Sequence, residues 1–119
     1  MQEELVNNDK TNQRIKRYEW DCLAIGIYYG EVEIVKILEE KGIEKGKSSS
    51  HIEAAILSYR NKDVKEIITK MNERNYHILK RGLRASAKNN NIKGAELLIN
   101  KGANINEIDI LYQNLIIFF

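Results

Sequence analysis

Apolar residues recur at helical spacing along this chain, in short segments bounded by glycine or by polar breaks. Between Gly30 and Gly42, the apolar residues Val32, Val35 and Leu38 lie on one face of a predicted helix and are expected to face a packed core. A shift of sixty residues superimposes this segment and its surroundings on a second one, pairing Leu23 with Leu83, Val32 with Ile92, Val35 with Ala95, Leu38 with Leu98, Lys41 with Lys101 and Gly42 with Gly102. The chain therefore contains a repeated amphipathic unit.

Sixty residues are too many for one pair of helices, so a third copy is expected between these two, and a weaker one is present. The segment HIEAAILSYRNKDVKEIITKM has a polar break at Asn61 and Lys62, followed by apolar residues at helical spacing. The period is then roughly thirty residues, and each unit is predicted to be a helix, a tight turn, a second helix and a loop.

Capping residues predict where the helices begin and end. Ser50 followed by Glu53 predicts a capping box at the start of the middle unit's first helix. Asp63 followed by Glu66 has the same spacing at the predicted start of its second helix. Two second helices are predicted to end in left-handed glycines, at Gly42 and Gly102.

The first copy contains DCLAIGIYYGEVEIVKILEEKGIE, and the third contains RGLRASAKNNNIKGAELLINKGANIN. Over residues 20–106 the chain resembles ankyrin repeat proteins, whose unit begins T-P-L-H-x-A-A, turns at a glycine, continues E-I-V-K-L-L and closes G-A-D-V-N. The segment KGANIN is the most specific match. The middle copy lacks both glycines and no copy has T-P-L-H, for which Asp21 and Ser50 are candidate replacement caps.

The resemblance implies an all-α fold, an ankyrin-like helix-turn-helix repeat solenoid of about three repeats with partial units at both ends. We expect a single domain over residues 1–119. Its predicted parts are an N-terminal cap at 1–19, repeats at 20–48, 49–78 and 79–106, and a hydrophobic partial repeat or cap at 107–119.

The C-terminal segment EIDILYQNLIIFF is apolar, whereas the last unit of a repeat stack needs a polar outer face. Three interpretations stay open: the tail folds back as a cap, pairs with another copy of the chain, or continues into a longer array. The candidate dimer residues are Leu115, Ile116, Ile117, Phe118 and Phe119.

Composition narrows the location and the chemistry. The net charge is +2, which demands neither nucleic acid nor an anionic membrane as a partner. Cys22 is the only cysteine, so we expect a reducing, cytoplasmic setting and a small buried side chain at this position. The first ten residues lack the pattern of a signal peptide, and the longest apolar run is far shorter than a membrane span of about 20 residues.

No catalytic or metal-binding constellation is predicted. Cys22, His51 and His77 are scattered along the chain at separations of 29 and 26 residues, so neither a metal site nor a nucleophile with a local base is expected. The segment GKSSS lacks the glycine spacing and strand context of a phosphate loop. We therefore expect a protein that is not an enzyme and has no cofactor.

Recognition of another molecule remains, and the resemblance implies that it uses the concave surface of first helices and loop tips. The aromatic candidates are Trp20, Tyr28 and Tyr29, of a type often found as interface anchors; the alternative is that some of them pack under the N-terminal segment. The polar candidates just before the predicted turns are Arg60, Asn61, Lys88 and Asn89.

A basic stripe is the second candidate surface. Lys80, Arg84 and Lys88 are spaced four residues apart on one face of a predicted helix, with Arg81 nearby. A solvated helix face with no further role is the alternative to a binding role for this stripe.

The sequence thus predicts a non-enzymatic protein-interaction module or adaptor. Nucleic-acid binding through the basic stripe is the runner-up, and a homodimer built on the tail is the third hypothesis. The chain has no proline and is rich in Ile, Asn and Lys, which AT-rich codons favour. This composition is compatible with small ankyrin-like proteins of large DNA viruses and intracellular pathogens, which engage host proteins.

Overall fold

The computed structural model describes residues 20–71 and 75–106. Within these ranges all regular structure is helical, which confirms the all-α prediction. The helices are α1 (Cys22–Tyr29), α2 (Val32–Glu40), α3 (Ser49–Leu57), α4 (Asn61–Lys70), α5 (Tyr76–Asn89) and α6 (Ile92–Lys101). None of these helices is both long and apolar enough to cross a bilayer. The predicted N-terminal cap and the C-terminal tail lie outside the described residues.

The helices pair in chain order as three helix-turn-helix hairpins, which we call hairpin 1 (α1 and α2), hairpin 2 (α3 and α4) and hairpin 3 (α5 and α6). The first helix of hairpin 2 packs against the first helices of both other hairpins, and α4 also packs against α6. The largest buried apolar side chains lie along these contacts: Leu23, Ile52, Ile56, Ile67, Leu79 and Leu98. One continuous core therefore joins the three hairpins.

Each first helix is followed by a residue in the left-handed backbone conformation. These residues are Gly30 at φ 70°, Tyr59 at φ 57° and Asn90 at φ 53°. Gly30 and Asn90 are sixty residues apart, in agreement with the sequence shift. The middle turn comes earlier than the predicted polar break, and Asn61 and Lys62 instead begin α4. The break was misplaced because a tyrosine occupies the left-handed position where glycine would have marked the turn.

Helix caps follow the predictions in hairpin 1 but differ from them in hairpin 2. Asp21 caps α1, since its side chain accepts a hydrogen bond of 2.8 Å from the backbone N–H of Ala24. The predicted Ser50–Glu53 capping box is wrong. Ser48 is the N-cap of α3 and accepts from the N–H of Ser50, so the helix begins earlier than predicted. Three consecutive serines offered three possible caps, and the sequence pattern could not choose between them.

The predicted capping box at Asp63 and Glu66 is also wrong, because both carboxylates bind Lys45. The Nζ of Lys45 lies 2.5 Å from Asp63 Oδ1 and 2.6 Å from Glu66 Oε2, and the side chain of Lys45 is only 6% exposed. Burial alone would lower the pKa of Lys45, but its hydrogen bonds to both carboxylates and their charges outweigh burial, so the pKa is raised. The hydrogen bond from Lys45 is the main cause that lowers the pKa of Glu66. This cluster ties the loop after α2 to α4.

Two predictions about hairpin 1 are wrong. Val32 is 69% exposed and does not face the core, although Val35 and Leu38 pack against it. Cys22 is exposed rather than buried. Val32 is the first residue of α2, and Ile92, the first residue of α6, is likewise 66% exposed, so this is not a core position in either hairpin. Cys22 lies on a side of α1 that no described helix covers. Here an apolar groove of about 450 Å³ is lined by Cys22, Ile25, Gly26, Tyr29, Glu31 and Ile34.

Candidate protein-binding face

The outward sides of the three first helices form the surface that we call the first-helix face. On α5 the buried residues, among them Leu79, Gly82 and Ser86, lie on the side that packs against the other helices. Lys80, Arg84 and Lys88 lie on the other side, as predicted from their spacing. A shift of sixty residues places Trp20, Ala24 and Tyr28 of hairpin 1 at the corresponding positions, of which Ala24 is fully buried, so Trp20 and Tyr28 form the surface at this end.

The structure brings the three predicted aromatic residues together at one end of this face. The rings of Trp20 and Tyr28 lie 5.3 Å apart at 55°, and those of Tyr28 and Tyr29 lie 5.0 Å apart at 85°. Both geometries are favourable for aromatic pairs. Tyr28 and Tyr29 remain 37% and 68% exposed, so the cluster presents apolar surface to solvent.

A polar network that the sequence did not predict crosses the middle of the face. Glu53 on α3 accepts a hydrogen bond of 2.7 Å from Trp20 Nε1. The same carboxylate accepts hydrogen bonds from Nη2 of Arg81 at 2.9 Å and from Nε of Arg81 at 3.2 Å. Nη1 of Arg81 donates to Ser49 Oγ at 2.8 Å. The Glu53 and Arg81 side chains are 13% and 17% exposed. The network therefore joins all three hairpins and fixes the indole of Trp20.

Sequence reasoning missed Glu53 because the spacing from Ser50 predicted a capping role for it. The sequence places Arg81 beside the basic stripe, but in the structure the charge of Arg81 is balanced by Glu53. The remaining charges of the stripe belong to Lys80, Arg84 and Lys88, each of which takes part in interactions of its own. Lys88 is exposed, and the other two are half-buried.

The predicted position of Arg60 just before a turn is wrong, since Tyr59 is the turn residue and Arg60 follows it. The Arg60 guanidinium occupies the space that a side chain at Gly30 would need, so it lies between two neighbouring turns. Asn89 does precede its turn: its Nδ2 donates to the carbonyl of Ala85 at 2.8 Å, and its own carbonyl accepts from the hydroxyl of Tyr59. Arg60 and Asn89 thus connect neighbouring turns, and the Arg60 guanidinium lies against Gly30, the residue that follows Tyr29.

Asn61 belongs to a second link between hairpins 2 and 3. Its Oδ1 accepts from Nδ2 of Asn91 at 3.0 Å, and the same Nδ2 donates to the carbonyl of Ile56 at 3.0 Å. Oδ1 of Asn91 caps α6 by accepting from the N–H of Gly94 at 2.9 Å. The close approach of these helices explains the glycine inside α6, because a Cβ at Gly94 would lie 2.5 Å from Ile56 Cδ1.

The remaining candidate residues do not form a site in the part of the chain that the structure describes. His51 is buried, with its Nε2 2.9 Å from Asp21 Oδ2 and its Nδ1 accepting from the N–H of Gly46 at 2.9 Å. It therefore links hairpins 1 and 2. No group of three or more metal-ligating side chains occurs within residues 20–71 and 75–106. The dimer candidates Leu115, Ile116, Ile117, Phe118 and Phe119 lie outside the described residues.

Comparisons with protein-family models, with curated proteins and with solved structures find no match for this chain. Its function is therefore inferred from the residues of the first-helix face.

Proposed function

We propose that this chain is a non-enzymatic protein-interaction module, built as an ankyrin-like stack of three helical hairpins, that binds a partner protein through its first-helix face. The serial packing of α1, α3 and α5 supports the stack. The cluster of Trp20, Tyr28 and Tyr29, in which both tyrosines are exposed and Trp20 is half-buried, is the observation that carries the binding role. The single cysteine supports an intracellular setting, and a host protein as the target agrees with the composition.

An aromatic cluster that is both exposed and fixed has the properties of an interface anchor. Tyrosine and tryptophan supply large contact areas and are enriched among residues that dominate binding energy. The hydrogen bond from Trp20 to Glu53 holds the indole in place before a partner arrives. Such preorganisation lowers the entropy cost of association, because fewer rotamers are frozen on binding.

The test combines partner capture with a double substitution. A partner isolated from the native cell by pull-down and mass spectrometry is titrated against wild type and against Tyr28→Ala with Tyr29→Ala. We expect the affinity to fall about tenfold or more, since losing an aromatic anchor costs at least ~1.4 kcal/mol.

The matched control is Val32→Ala with Ile92→Ala, two exposed apolar residues at corresponding positions on the second helices. We expect this control to bind like wild type. Unchanged affinity in the tyrosine variant, with helicity by circular dichroism also unchanged, would show that the partner binds elsewhere.

Nucleic-acid binding is the second candidate, favoured by the alignment of Lys80, Arg84 and Lys88 along α5. It predicts an affinity that falls steeply with salt and depends on Arg84, because phosphate contacts release counterions. A mobility-shift assay with mixed RNA and DNA at low salt tests it, and the absence of any shift would remove it.

A further inference from the structure

We propose that the first-helix face recognises an extended acidic segment of a partner protein, with an apolar side chain at one end of that segment. The proposal rests on the function proposed above and adds the chemical class and the polarity of the ligand. It follows from the way that side-chain chemistry changes along the row of first helices.

Corresponding positions of hairpins 1 and 3 carry opposite chemistry. Trp20 and Tyr28 occupy in hairpin 1 the places that Lys80 and Lys88 occupy in hairpin 3, at the same distance from the left-handed turn residue. The middle of the face is occupied by Glu53, whose charge is balanced by Arg81. The face therefore carries aromatic residues at one end, an ion pair in the middle and basic side chains at the other end.

The charge of the described helices is also uneven between the two layers. The first helices α1, α3 and α5 contain four Lys or Arg residues and one acidic residue, Glu53. The second helices contain six basic and six acidic residues. Lys80, Arg81, Arg84 and Lys88 all have interactions of their own, and the net charge of the layer is what attracts a carboxylate.

The spacing of the helices sets the length of the ligand. Packed helices have axes about 10 Å apart, so α1 and α5 are separated by about 20 Å across α3. An extended chain covers about 3.3 Å per residue, so roughly six residues span that distance. Lys80 and Lys88 are about 12 Å apart along α5, across the direction of that segment, so two successive carboxylates at its acidic end, which point to opposite sides of an extended chain, face one lysine each.

The aromatic cluster favours a peptide over single-stranded nucleic acid. Bases stack on open aromatic faces, whereas the rings of Trp20 and Tyr28 pack against each other. The indole N–H of Trp20 already donates to the Glu53 carboxylate, so it is not available as a donor to a base or a phosphate. Apolar side chains of a peptide need no such donor.

The experiment selects ligands from phage-displayed random 12-residue peptides on the whole chain. We expect the enriched peptides to carry net negative charge, with an apolar residue about six positions from an Asp or Glu pair. Synthetic copies are then titrated while the emission of Trp20 is recorded. Trp20 is the only tryptophan, so its emission reports binding at this face directly.

Two charge-reversal variants locate the acidic contact. Lys80→Glu with Lys88→Glu should weaken a selected peptide at least tenfold and reduce the salt dependence of its binding. The matched control, Lys65→Glu with Lys93→Glu, makes the same change at exposed positions of the second helices and should bind within twofold of wild type. Circular dichroism verifies that both variants keep their helicity.

The outcomes distinguish failure of the acidic ligand from failure of the binding face itself. Peptides that need Tyr28 and Tyr29 but show no acidic bias would overturn the acidic ligand and leave the binding face standing. Peptides that bind equally well to the tyrosine and charge-reversal variants would overturn both proposals, as would a library that yields no enriched peptide. Tighter binding of an oligouridylate 12-mer than of any selected peptide would assign the face to nucleic acid and overturn both.

Discussion

Replacing Asn91 should weaken the packing of hairpin 3 on hairpin 2, and lower the free energy of unfolding by more than the loss of a helix cap alone. Asn91 is 2% exposed and makes three hydrogen bonds, one to the N–H of Gly94 and two from its Nδ2 to hairpin 2. In Asn91→Ala, loss of the cap costs about 1 kcal/mol. Each lost hydrogen bond from Nδ2 adds about 0.5–1.5 kcal/mol, with the Ile56 carbonyl retaining its bond from the N–H of Tyr59. We therefore expect a loss of about 2–4 kcal/mol in the free energy of unfolding.

Two comparisons separate the capping role of Asn91 from its role between hairpins. Asn91→Asp keeps the acceptor for the Gly94 N–H but turns the donor toward hairpin 2 into an acceptor that faces two oxygens. It should cost at least as much as Asn91→Ala, although aspartate is normally as good a cap as asparagine. Asn75 provides the control, because it caps α5 through the N–H of Ile78 and is itself exposed. Asn75→Ala should cost about 1 kcal/mol or less.

The assay is urea unfolding followed by circular dichroism and by the emission of Trp20. Circular dichroism reports all helices, whereas Trp20 lies in the part of the molecule that includes hairpin 1 and contacts Glu53 of hairpin 2. If Asn91→Ala loses no more stability than Asn75→Ala, or if Asn91→Asp is as stable as wild type, the link between the hairpins through Nδ2 is wrong.

Three further predictions test the backbone and the ion cluster. Gly94→Ala should lower the free energy of unfolding in urea by about 1–3 kcal/mol, because the added Cβ would lie 2.5 Å from Ile56 Cδ1. The better helix propensity of alanine does not offset this clash, and a variant as stable as wild type would contradict the close contact. Tyr59→Gly should stabilise by up to about 1 kcal/mol, because it relieves a left-handed tyrosine; a lower melting temperature would show that the tyrosine's contacts outweigh the backbone cost. Since the pKa of Glu66 is lowered in the folded chain, its contribution is present above the unfolded pKa of about 4.3 and is lost as pH falls through the folded pKa. As the pH falls from about 5 to the folded pKa, Glu66→Gln should therefore lose less stability than wild type. An equal loss of unfolding free energy in both proteins over this range would refute the prediction. The raised pKa of Lys45 has the opposite sign, so its contribution is lost only as pH rises above about 10.4.

The sequence predicted the helices best where glycines mark the same boundaries as the pattern of apolar residues. Gly30 and Gly42 bound α2 in sequence, and Gly42 and Gly102 take the positive φ that the helix ends require. The prediction failed in hairpin 2, where Tyr59 fills the left-handed position without the residue type that normally marks it. The left-handed backbone of Tyr59 depends on how the whole hairpin packs, and the conformational preference of tyrosine alone does not predict it.

The candidate face was predictable only in part. The spacing from Trp20 to Tyr28 brings two aromatic side chains onto one side of a helix, and the structure places their rings in contact. The role of Glu53 depends on contacts at sequence separations of 33 and 28 residues, which no local pattern carries. Arg60 was misplaced for the same reason as the turn itself.

The polar contacts between hairpins favour one order and register of packing, which the apolar core alone does not. Apolar contacts are not directional, so similar amphipathic hairpins could pack in more than one order or register. Each interface has a polar pair of its own, His51 with Asp21 between hairpins 1 and 2, and Asn91 with Asn61 between hairpins 2 and 3. A mispaired hairpin would leave such buried groups without partners, at a cost of about 1–3 kcal/mol each. These pairs therefore favour one order of the hairpins, which also sets Trp20 and Lys88 at opposite ends of the first-helix face.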